Sequence, residues 1–222
     1  MTNQQMAPPP VVTHPLAVAK QPKAANATTT SLPATAPIQV YSLTEVAHAT
    51  LQHYFFQQQN EKSTSHKEPK AATNWQTFPQ RFVAPDLLKQ TGGVFVTFSH
   101  NGQSRACWGT VFPEHADLIT ATVEATLGAL TQEYRYPPIR ASEVETLQVQ
   151  VTVVRAVEAI RNIREQNPFR DGLMVRAGGK SGVILPGEAT DAHTQLIQAC
   201  LKAGIGPSDT YQLYRIIADV YR

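Results

Sequence analysis

The chain has few cysteines, no long apolar run and no N-terminal signal pattern. Its 222 residues include two cysteines, Cys107 and Cys200, which are too few for the disulfide framework of a small secreted domain. The longest apolar runs fall far short of the ~20 residues that cross a bilayer. No basic start followed by an apolar stretch marks a signal peptide. These absences predict a cytoplasmic protein that has no membrane segment.

The chain also lacks concentrated charge and the standard motifs of catalysis. Its 19 Lys and Arg and 17 Asp and Glu are scattered, whereas nucleic-acid binders concentrate basic residues on one face. No Gly-x-Gly-x-x-Gly, P-loop, His-Glu-x-x-His, Gly-x-Ser-x-Gly or Cys-x-x-Cys sequence occurs. The seven histidines do not have metal-ligand spacing. We therefore expect no nucleic-acid partner and no metal site, and the sequence assigns no cofactor.

Residues 1–40 differ in composition from the rest of the chain. They contain seven prolines, eight alanines and six threonines, but no glycine, no aromatic and no acidic residue. Such a segment cannot bury enough apolar surface to offset its conformational entropy. We therefore predict a disordered N-terminal arm over 1–40, followed by a folded α+β domain over 41–222.

The folded domain is predicted to start with a helix. Ser42 and Glu45 have the spacing of a capping box, in which each side chain satisfies a backbone N–H at the helix start. His48 and His53 lie off the apolar stripe of this helix, so we predict surface histidines. Residues 57–80 are rich in Gln, Lys, Ser and Thr and are predicted to be a loop insertion.

Residues 93–111 predict a β-hairpin. Two strands, 93–99 and 104–111, flank Asn101-Gly102, a pair suited to a type I′ turn because both positions need positive φ. This turn places Val96 opposite Cys107, with Trp108 on the other face. Six residues are predicted to share one face: Val94, Val96, Phe98, Arg105, Cys107 and Gly109.

The rest of the chain predicts further helices and strands. A helix starts near Pro113, and an alternating strand with one buried face covers 147–154. Residues 168–206 are predicted to form a smaller unit, in which a hairpin is followed by a helix over 191–203. The tail from Tyr211 to Arg222 fits either a helix or a strand.

Cys107 and Arg105 are the main candidates for chemistry. A thiolate nucleophile or metal ligand needs a nearby cation to lower its pKa, and Arg105 lies two residues away. A strand cysteine beside valines is more often a small buried hydrophobe, so both interpretations stay open. A buried Arg105 guanidinium needs either an internal carboxylate, with Glu133 as the candidate, or a bound anion. Arg135 supplies a second cation.

Five landmarks occur in order along the chain: Gly93-Val-Phe-Val-Thr-Phe98, Arg105-Ala-Cys-Trp-Gly109, Glu133-Tyr-Arg-Tyr-Pro-Pro138, Gly182-Val-Ile-Leu-Pro186 and Cys200-Leu-Lys-Ala-Gly204. Taken together, these segments resemble the AMMECR domain family over nearly all of 42–222. The chain departs from the family pattern at Ser104, Ala106, Trp108 and Glu133, where Leu, Gly, Ile and Asp are usual.

The resemblance implies a fold, a surface and partners, but no particular reaction. It implies a two-part α+β domain with mixed or antiparallel sheets flanked by helices, and a strand at the end of the chain. It also implies that Arg105, Cys107 and Gly109 line the functional surface. Memo-type and radical-SAM proteins are the implied partners.

Our first functional hypothesis is an enzyme or enzyme-partner domain that binds a small anionic ligand near Arg105 and Cys107. Arg105 would hold the anion through paired N–H donors, with Arg135 as a second cation. Cys107 would be a nucleophile, a redox centre or a close-packed wall. Glu133 would orient Arg105 or handle a proton.

The alternative hypothesis is a non-catalytic protein-interaction module that uses the same patch. Trp108, Tyr134 and Tyr136 would then be the aromatic anchors for a partner, because large aromatic residues dominate many interfaces.

Overall fold

The computed structural model describes residues 36–63 and 73–222, which contain both helices and strands. Short 3₁₀ helices occupy Phe78–Arg81, Asp86–Lys89, Ala141–Thr146 and Ile163–Glu165. The predicted α+β class is confirmed. In chain order the other elements are β1 (Ile38–Gln39), α1 (Leu43–Ser63), β2 (Phe82–Val83), β3 (Gly93–His100), β4 (Gln103–Gly109), α2 (Leu118–Thr131), β5 (Gln148–Ile160), β6 (Gly172–Ala177), β7 (Lys180–Ile184), α3 (Ala192–Ala203) and β8 (Gln212–Tyr221).

Six of these strands form one antiparallel sheet in the order β4-β3-β5-β8-β6-β7. The long strand β5 pairs with β3 on one side and with β8 on the other, so it joins the two halves of the sheet. β1 and β2 form a separate parallel pair. β4 and β7 are therefore the two edge strands of the main sheet.

The helices cover the sheet in two places. α1 and α2 pack on β3, β4 and β5, whereas α3 packs on β6 and β7. α3 approaches β7 closely because Gly182 has no side chain, and a Cβ there would overlap the Ala199 carbonyl oxygen. None of the helices formed by the described residues is both long and apolar enough to cross a membrane. Five buried residues form a separate apolar cluster: Phe95, Val154, Met174, Leu185 and Ile216.

Residues 168–206 form the hairpin and helix that the sequence predicts. Ala177 pairs with Lys180 across a two-residue turn. α3 is capped at its start by Asp191, which accepts a hydrogen bond from the Thr194 N–H at 2.9 Å, and at its end by Gly204 at φ 62°. The chain then ends in strand β8, as the family resemblance implies, and β8 ties this unit into the main sheet.

The pairing of β3 with β4 differs from the predicted register. Asn101 and Gly102 have the expected positive φ values of 51° and 76°. Arg105 is then an extra, bulged residue, so that Thr97 rather than Val96 lies opposite Cys107. The predicted register is wrong because a bulge of one residue reverses the alternation of the strand beyond it.

This bulge exchanges the two faces of β4. Cys107 lies on the face of Phe95 and Thr97, not with the core valines as predicted. Trp108 takes the place on the core face, where its indole packs against Gly128 of α2. The predicted common face of Arg105, Cys107, Gly109 and the apolar residues of β3 is therefore wrong.

α1 begins where predicted but ends later. The Glu45 N–H donates to Ser42 Oγ at 3.2 Å, and the Ser42 N–H donates to Glu45 Oε2 at 3.3 Å, which is the predicted capping box. The helix continues through Ser63, so residues 57–63 of the predicted loop are helical, while 64–72 lie outside the described residues.

His53 is buried, which corrects its prediction as a surface histidine. Its ring stacks on Phe78 with 4.8 Å between centroids, and Nε2 lies 2.6 Å from Thr73 Oγ1. The chain after residue 73 folds back over this part of α1, a tertiary contact that helical periodicity does not reveal. The start of α2 is also later than predicted, because Asp117 rather than Pro113 begins it and accepts from the Thr120 N–H at 2.7 Å.

Residues 1–35 of the predicted disordered arm lie outside the described residues. Residues 36–40 are described and contribute β1, in which Ile38 is buried and pairs with Phe82. Arg81 donates from Nε and Nη2 to the Ala36 carbonyl oxygen at 3.1 and 3.0 Å. Regular structure therefore begins before residue 41, where the sequence predicts the start of the domain.

We expect Gly128→Ala to destabilise the fold, although alanine favours a helix over glycine by about 1 kcal/mol. The added Cβ would overlap the Trp108 indole, and overpacking of this kind costs about 1–3 kcal/mol. Urea denaturation of the variant should show a lower free energy of unfolding. Gly179→Ala is the control, because beyond its chain neighbours no atom of the described residues lies within 4 Å of a Cβ there. A Gly128→Ala variant more stable than the wild type would contradict the packing described.

Candidate functional site

The two edge strands of the sheet line a common cleft. One cavity of about 490 Å³ has Cys107 and Gly109 of β4 on one side and Val183 of β7 on the other. A second cavity of about 600 Å³ adjoins it. Cavities of this size are typical of small-ligand sites. We call the two cavities together the edge cleft, and five residues line both of them: Cys107, Arg135, Glu188, Leu201 and Lys202.

An ion pair covers the outer edge of β4 at Cys107. Glu133 Oε2 accepts from the Cys107 N–H at 3.2 Å, and Arg135 Nη2 donates to the Cys107 carbonyl oxygen at 3.0 Å. Arg135 also donates to Glu133 from Nε at 2.9 Å and from Nη2 at 2.5 Å. The pair therefore takes the hydrogen-bonding position that a neighbouring strand would occupy.

The hydrogen bonds of this pair keep both residues charged. Burial alone would raise the pKa of Glu133, but the hydrogen bonds from Arg135 and from the Cys107 N–H outweigh it and hold that pKa below its usual value. The hydrogen bond with Glu133 in turn raises the pKa of Arg135. The Glu133 side chain is only 4% exposed, whereas that of Arg135 is 34% exposed, so the covered carboxylate depends on Arg135 as its partner.

A second ion pair covers the edge of β7 on the opposite wall. Glu188 Oε2 accepts from the Leu185 N–H at 2.9 Å, and Lys202 Nζ donates to the Val183 carbonyl oxygen at 3.1 Å. The pair itself is looser, with 3.4 Å between Lys202 Nζ and Glu188 Oε2 and side chains 34% and 25% exposed. Both edges of the sheet are thus capped by one carboxylate and one cation.

The Cys107 thiol is within electrostatic reach of both pairs. Burial raises the pKa of this thiol and the charge of Glu188 raises it further, while the Thr97 hydrogen bond, Lys202 and Arg135 lower it without cancelling the rise. Thr97 Oγ1 donates to Sγ at 3.2 Å. The thiol is therefore protonated at neutral pH, unlike the thiolate of a typical nucleophilic cysteine. Among residues 36–63 and 73–222, no group of three or more His, Cys, Asp or Glu is placed to hold a metal ion.

Arg105 lies outside the edge cleft, since it is not among the described residues that line either cavity. Its Nε and Nη2 donate to Glu143 at 2.8 and 3.1 Å, and its Nη1 donates to the Pro137 carbonyl oxygen at 3.3 Å. The predicted internal partner, Glu133, is wrong because the 3₁₀ helix Ala141–Thr146 brings Glu143 there instead. The hydrogen bond from Arg105 also holds the pKa of Glu143 below its usual value. With all three nitrogens engaged, Arg105 connects β4 to this helix, and its part in ligand binding stays a prediction.

Gly109 lines the smaller cavity, in keeping with its place on the functional surface that the resemblance implies. A Cβ at this position would overlap the Val94 carbonyl oxygen of the neighbouring strand. A larger residue would push β4 away from β3 and change the wall of the cleft. A direct part for Gly109 in ligand binding stays a prediction.

The three aromatic residues near the cleft have different environments. Trp108 packs against Gly128 in the core, so its indole is held by α2. The Tyr136 ring lies 5.8 Å from the guanidinium carbon of Arg135, a cation–π contact. Tyr134 is 85% exposed and lines the smaller cavity. Of the three, Tyr134 is best placed to meet a partner.

Sequence reasoning missed Glu143, Glu188 and Lys202. Lys202 lies within the Cys-Leu-Lys-Ala-Gly segment that supports the family resemblance, but nothing in that segment shows what the lysine contacts. Glu188 follows the Gly182–Pro186 segment, and nothing in that segment shows what the glutamate contacts. Both reach Cys107 only because the two edge strands, distant in sequence, line one cleft.

Comparisons with known proteins identify the family. A family model described as AMMECR1 matches residues 44–222, so the chain belongs to the AMMECR1 family, and the resemblance found in the sequence is confirmed. A relative from Thermotoga maritima is 33% identical over 148 residues, which cover 65% of this chain and 85% of that protein. A relative from Methanothermobacter thermautotrophicus is 33% identical over 153 residues, covering 62% of this chain and 78% of that protein.

A solved structure supports the same assignment. The crystal structure of an uncharacterized protein from Pyrococcus horikoshii matches with a TM-score of 0.60 and 26% identity, covering 80% of this chain and 88% of that chain. The names of these three proteins state no activity. The family membership therefore defines the fold and leaves the function to be argued from the cleft.

The alkylation rate of Cys107 should respond in opposite directions to two substitutions in the cleft. Glu188→Gln removes a negative charge that raises the pKa of the thiol, so alkylation should begin at lower pH. Lys202→Met removes a positive charge that lowers this pKa, so alkylation should need higher pH. Mass spectrometry after iodoacetamide treatment across a pH series measures both, with Cys200 as the internal reference.

Glu114→Gln, a change at an exposed glutamate, is the charge-matched control and should leave the alkylation profile of Cys107 unchanged. If both cleft variants shift the profile in the same direction, the electrostatic account of the thiol fails.

Proposed function

We propose that the edge cleft binds a small anionic ligand between Arg135 and Lys202. The proposal is carried by one observation: two cations from opposite walls, one beside β4 and one on α3, line both cavities of a single cleft. An anion between them receives charge-assisted hydrogen bonds from both sides. Arg135 keeps the role that the sequence suggested, and Lys202 replaces Arg105 as its companion.

Both cations have donors left for a ligand. Lys202 Nζ carries three N–H donors and has two protein acceptors, Val183 and Glu188. Nη1 of Arg135 has no hydrogen-bond partner among the described residues, since Nε and Nη2 make the side-chain contacts. The long Lys202–Glu188 contact of 3.4 Å means that an incoming anion displaces little when it competes for Lys202.

Cys107 and Glu133 support this site from behind. Glu133 fixes the guanidinium of Arg135, and Cys107 forms a neutral, hydrogen-bonded part of the wall. A bound anion would raise the pKa of the thiol further, because like charge disfavours the thiolate. Binding is therefore supported more directly than nucleophilic catalysis, and the catalytic roles of Cys107 and Glu133 that the sequence suggested stay predictions.

We expect Lys202→Met to weaken anion binding about tenfold or more, since a charge-assisted hydrogen bond contributes about 1.5–3 kcal/mol. Isothermal titration of the full chain with inorganic phosphate and with succinate measures the effect. Lys89→Met is the matched control, because Lys89 forms a 3.0 Å surface pair with Asp86. Circular dichroism should show that both variants fold.

Two results would contradict the proposal. One is a wild-type chain that binds neither phosphate nor succinate. The other is an equal loss of binding in Lys89→Met and Lys202→Met, which would indicate a general charge effect and not a site.

We infer a second candidate function, protein docking at the rim of the edge cleft, from two exposed side chains. Tyr134 is 85% exposed and Leu201 is 73% exposed, and both line the cleft. Memo-type and radical-SAM proteins are the partners we propose, on the family resemblance. We propose the cytoplasm as the compartment for either function, because both cysteines are free.

If docking is the function, Tyr134→Ala should weaken partner binding about tenfold or more, because a central aromatic anchor contributes about 2 kcal/mol. Biolayer interferometry with a purified Memo-type protein and a purified radical-SAM protein measures the Kd. Tyr41→Ala is the matched control, since Tyr41 is 72% exposed and does not line the cleft among the described residues. Unchanged binding of Tyr134→Ala to a partner that binds the wild type would exclude this rim as the docking surface.

A further inference from the structure

The two ion pairs of the edge cleft perform the same task on two strands. On β4, the Glu133–Arg135 pair satisfies the outward N–H and C=O of Cys107. Next to β7, the Glu188–Lys202 pair satisfies the N–H of Leu185 and the C=O of Val183. A carboxylate in place of a carbonyl and a cation in place of an N–H imitate the contacts of a neighbouring strand.

The two caps differ in how easily a ligand could replace them. On β4, Glu133 is 4% exposed and lies 2.5 Å from Arg135, so removing this cap would strand a buried charge. On β7, Glu188 is 25% exposed and lies 3.4 Å from Lys202, so it can turn into solvent at small cost. The β4 cap is a fixed wall, and the β7 cap is exchangeable.

An extended peptide supplies the groups that the β7 cap imitates. Its carbonyl oxygen can accept from the Leu185 N–H in place of Glu188, and its N–H can donate to the Val183 carbonyl oxygen in place of Lys202. Addition of a strand to an exposed sheet edge is a common mode of peptide recognition. Ser181 alternates with Val183 on β7 and also lines the cavity, so the edge continues for more than one residue.

The cations of the cleft favour binding of the carboxylate end of such a peptide. Once Glu188 and the Val183 carbonyl are replaced as partners, Lys202 is released to bind a carboxylate. Arg135 lines the same space, and its Nη1 has no hydrogen-bond partner among the described residues. The cavities of about 490 and 600 Å³ suit a short peptide better than a folded partner.

We infer that the ligand of the edge cleft is a short peptide, bound in extended conformation along β7 with its terminal carboxylate between Lys202 and Arg135. This inference rests on the proposed function, because it names the class of anion that the cleft takes. It assigns Glu188 as the group that the peptide backbone displaces.

Three peptide pools test the inference on the full, ¹⁵N-labelled chain. All are random N-acetylated tetrapeptides: one pool has a free carboxylate, one ends in an amide, and one has a free carboxylate but N-methylated backbone amides. Backbone NMR shifts of Ser181, Val183 and Leu185 report binding along β7. The free-acid pool should shift these amides, and the amide pool should bind about tenfold more weakly. The N-methylated pool keeps only the carboxylate contact, so it should also bind more weakly than the free-acid pool.

The peptide affinity of Glu188→Ala distinguishes a displaced glutamate from a purely structural one. Removal of the exchangeable cap frees the Leu185 N–H, so this variant should bind both the free-acid and the amide pool more tightly than the wild type. Glu114→Ala, which removes an exposed glutamate elsewhere, should leave the affinities unchanged. Weaker or unchanged peptide binding in Glu188→Ala would overturn the displacement of this residue.

The outcomes separate this inference from the proposed function. Equal binding of the amide and free-acid pools would overturn the carboxylate contact, and equal binding of the N-methylated pool would overturn strand addition. If phosphate or succinate binds in a Lys202-dependent way while no peptide pool does, the peptide inference fails and the anion site stands. If neither small anions nor peptides bind, both fail, and the ion pairs serve only to block the edges of the sheet.

Discussion

The outward backbone groups of an edge strand need hydrogen-bond partners, and this constraint shapes one side of the molecule. A buried N–H left without a partner costs about 1–3 kcal/mol. At Cys107 the need is met by Glu133 and Arg135, which follow α2 and cross in front of β4. Their position fixes the wall of the edge cleft and holds a cation at its surface, next to the partly covered Cys107.

The outward backbone groups at β7 are also satisfied by a carboxylate and a cation, but this ion pair is looser. Glu188 and Lys202 come from the segment between β7 and α3 and from the last turn of α3, and both side chains are partly exposed. Glu133 is almost fully covered. Desolvated charges are held strongly by their partners, whereas solvated ones exchange easily. The cleft therefore has one rigid wall and one adaptable wall, an asymmetry suited to admitting a ligand from one side.

Local chemistry made much of the fold predictable from sequence, and tertiary contacts explain the rest. Asn101-Gly102 and the Ser42–Glu45 capping box are signals that neighbouring residues complete, and both appear as predicted. The bulged Arg105 instead contacts Glu143, which lies in a different element, and the bulge reverses the predicted faces of β4. The site was only partly predictable for a similar reason. The sequence indicated Cys107, Glu133 and Arg135, but it did not indicate Glu188 and Lys202 on the opposite wall.

The charges of the edge cleft link ligand binding to the state of Cys107. Glu188 raises the pKa of the thiol, whereas Lys202 and Arg135 lower it. A ligand whose neutral backbone displaces Glu188 removes one opposing charge, although an anionic end held by the cations adds another. The balance depends on which negative charge lies nearer to Sγ, because the interaction weakens with distance. Burial is the first cause of the raised pKa of the thiol and does not depend on Glu188, so a ligand changes this pKa only through the charge that it adds or displaces near Sγ.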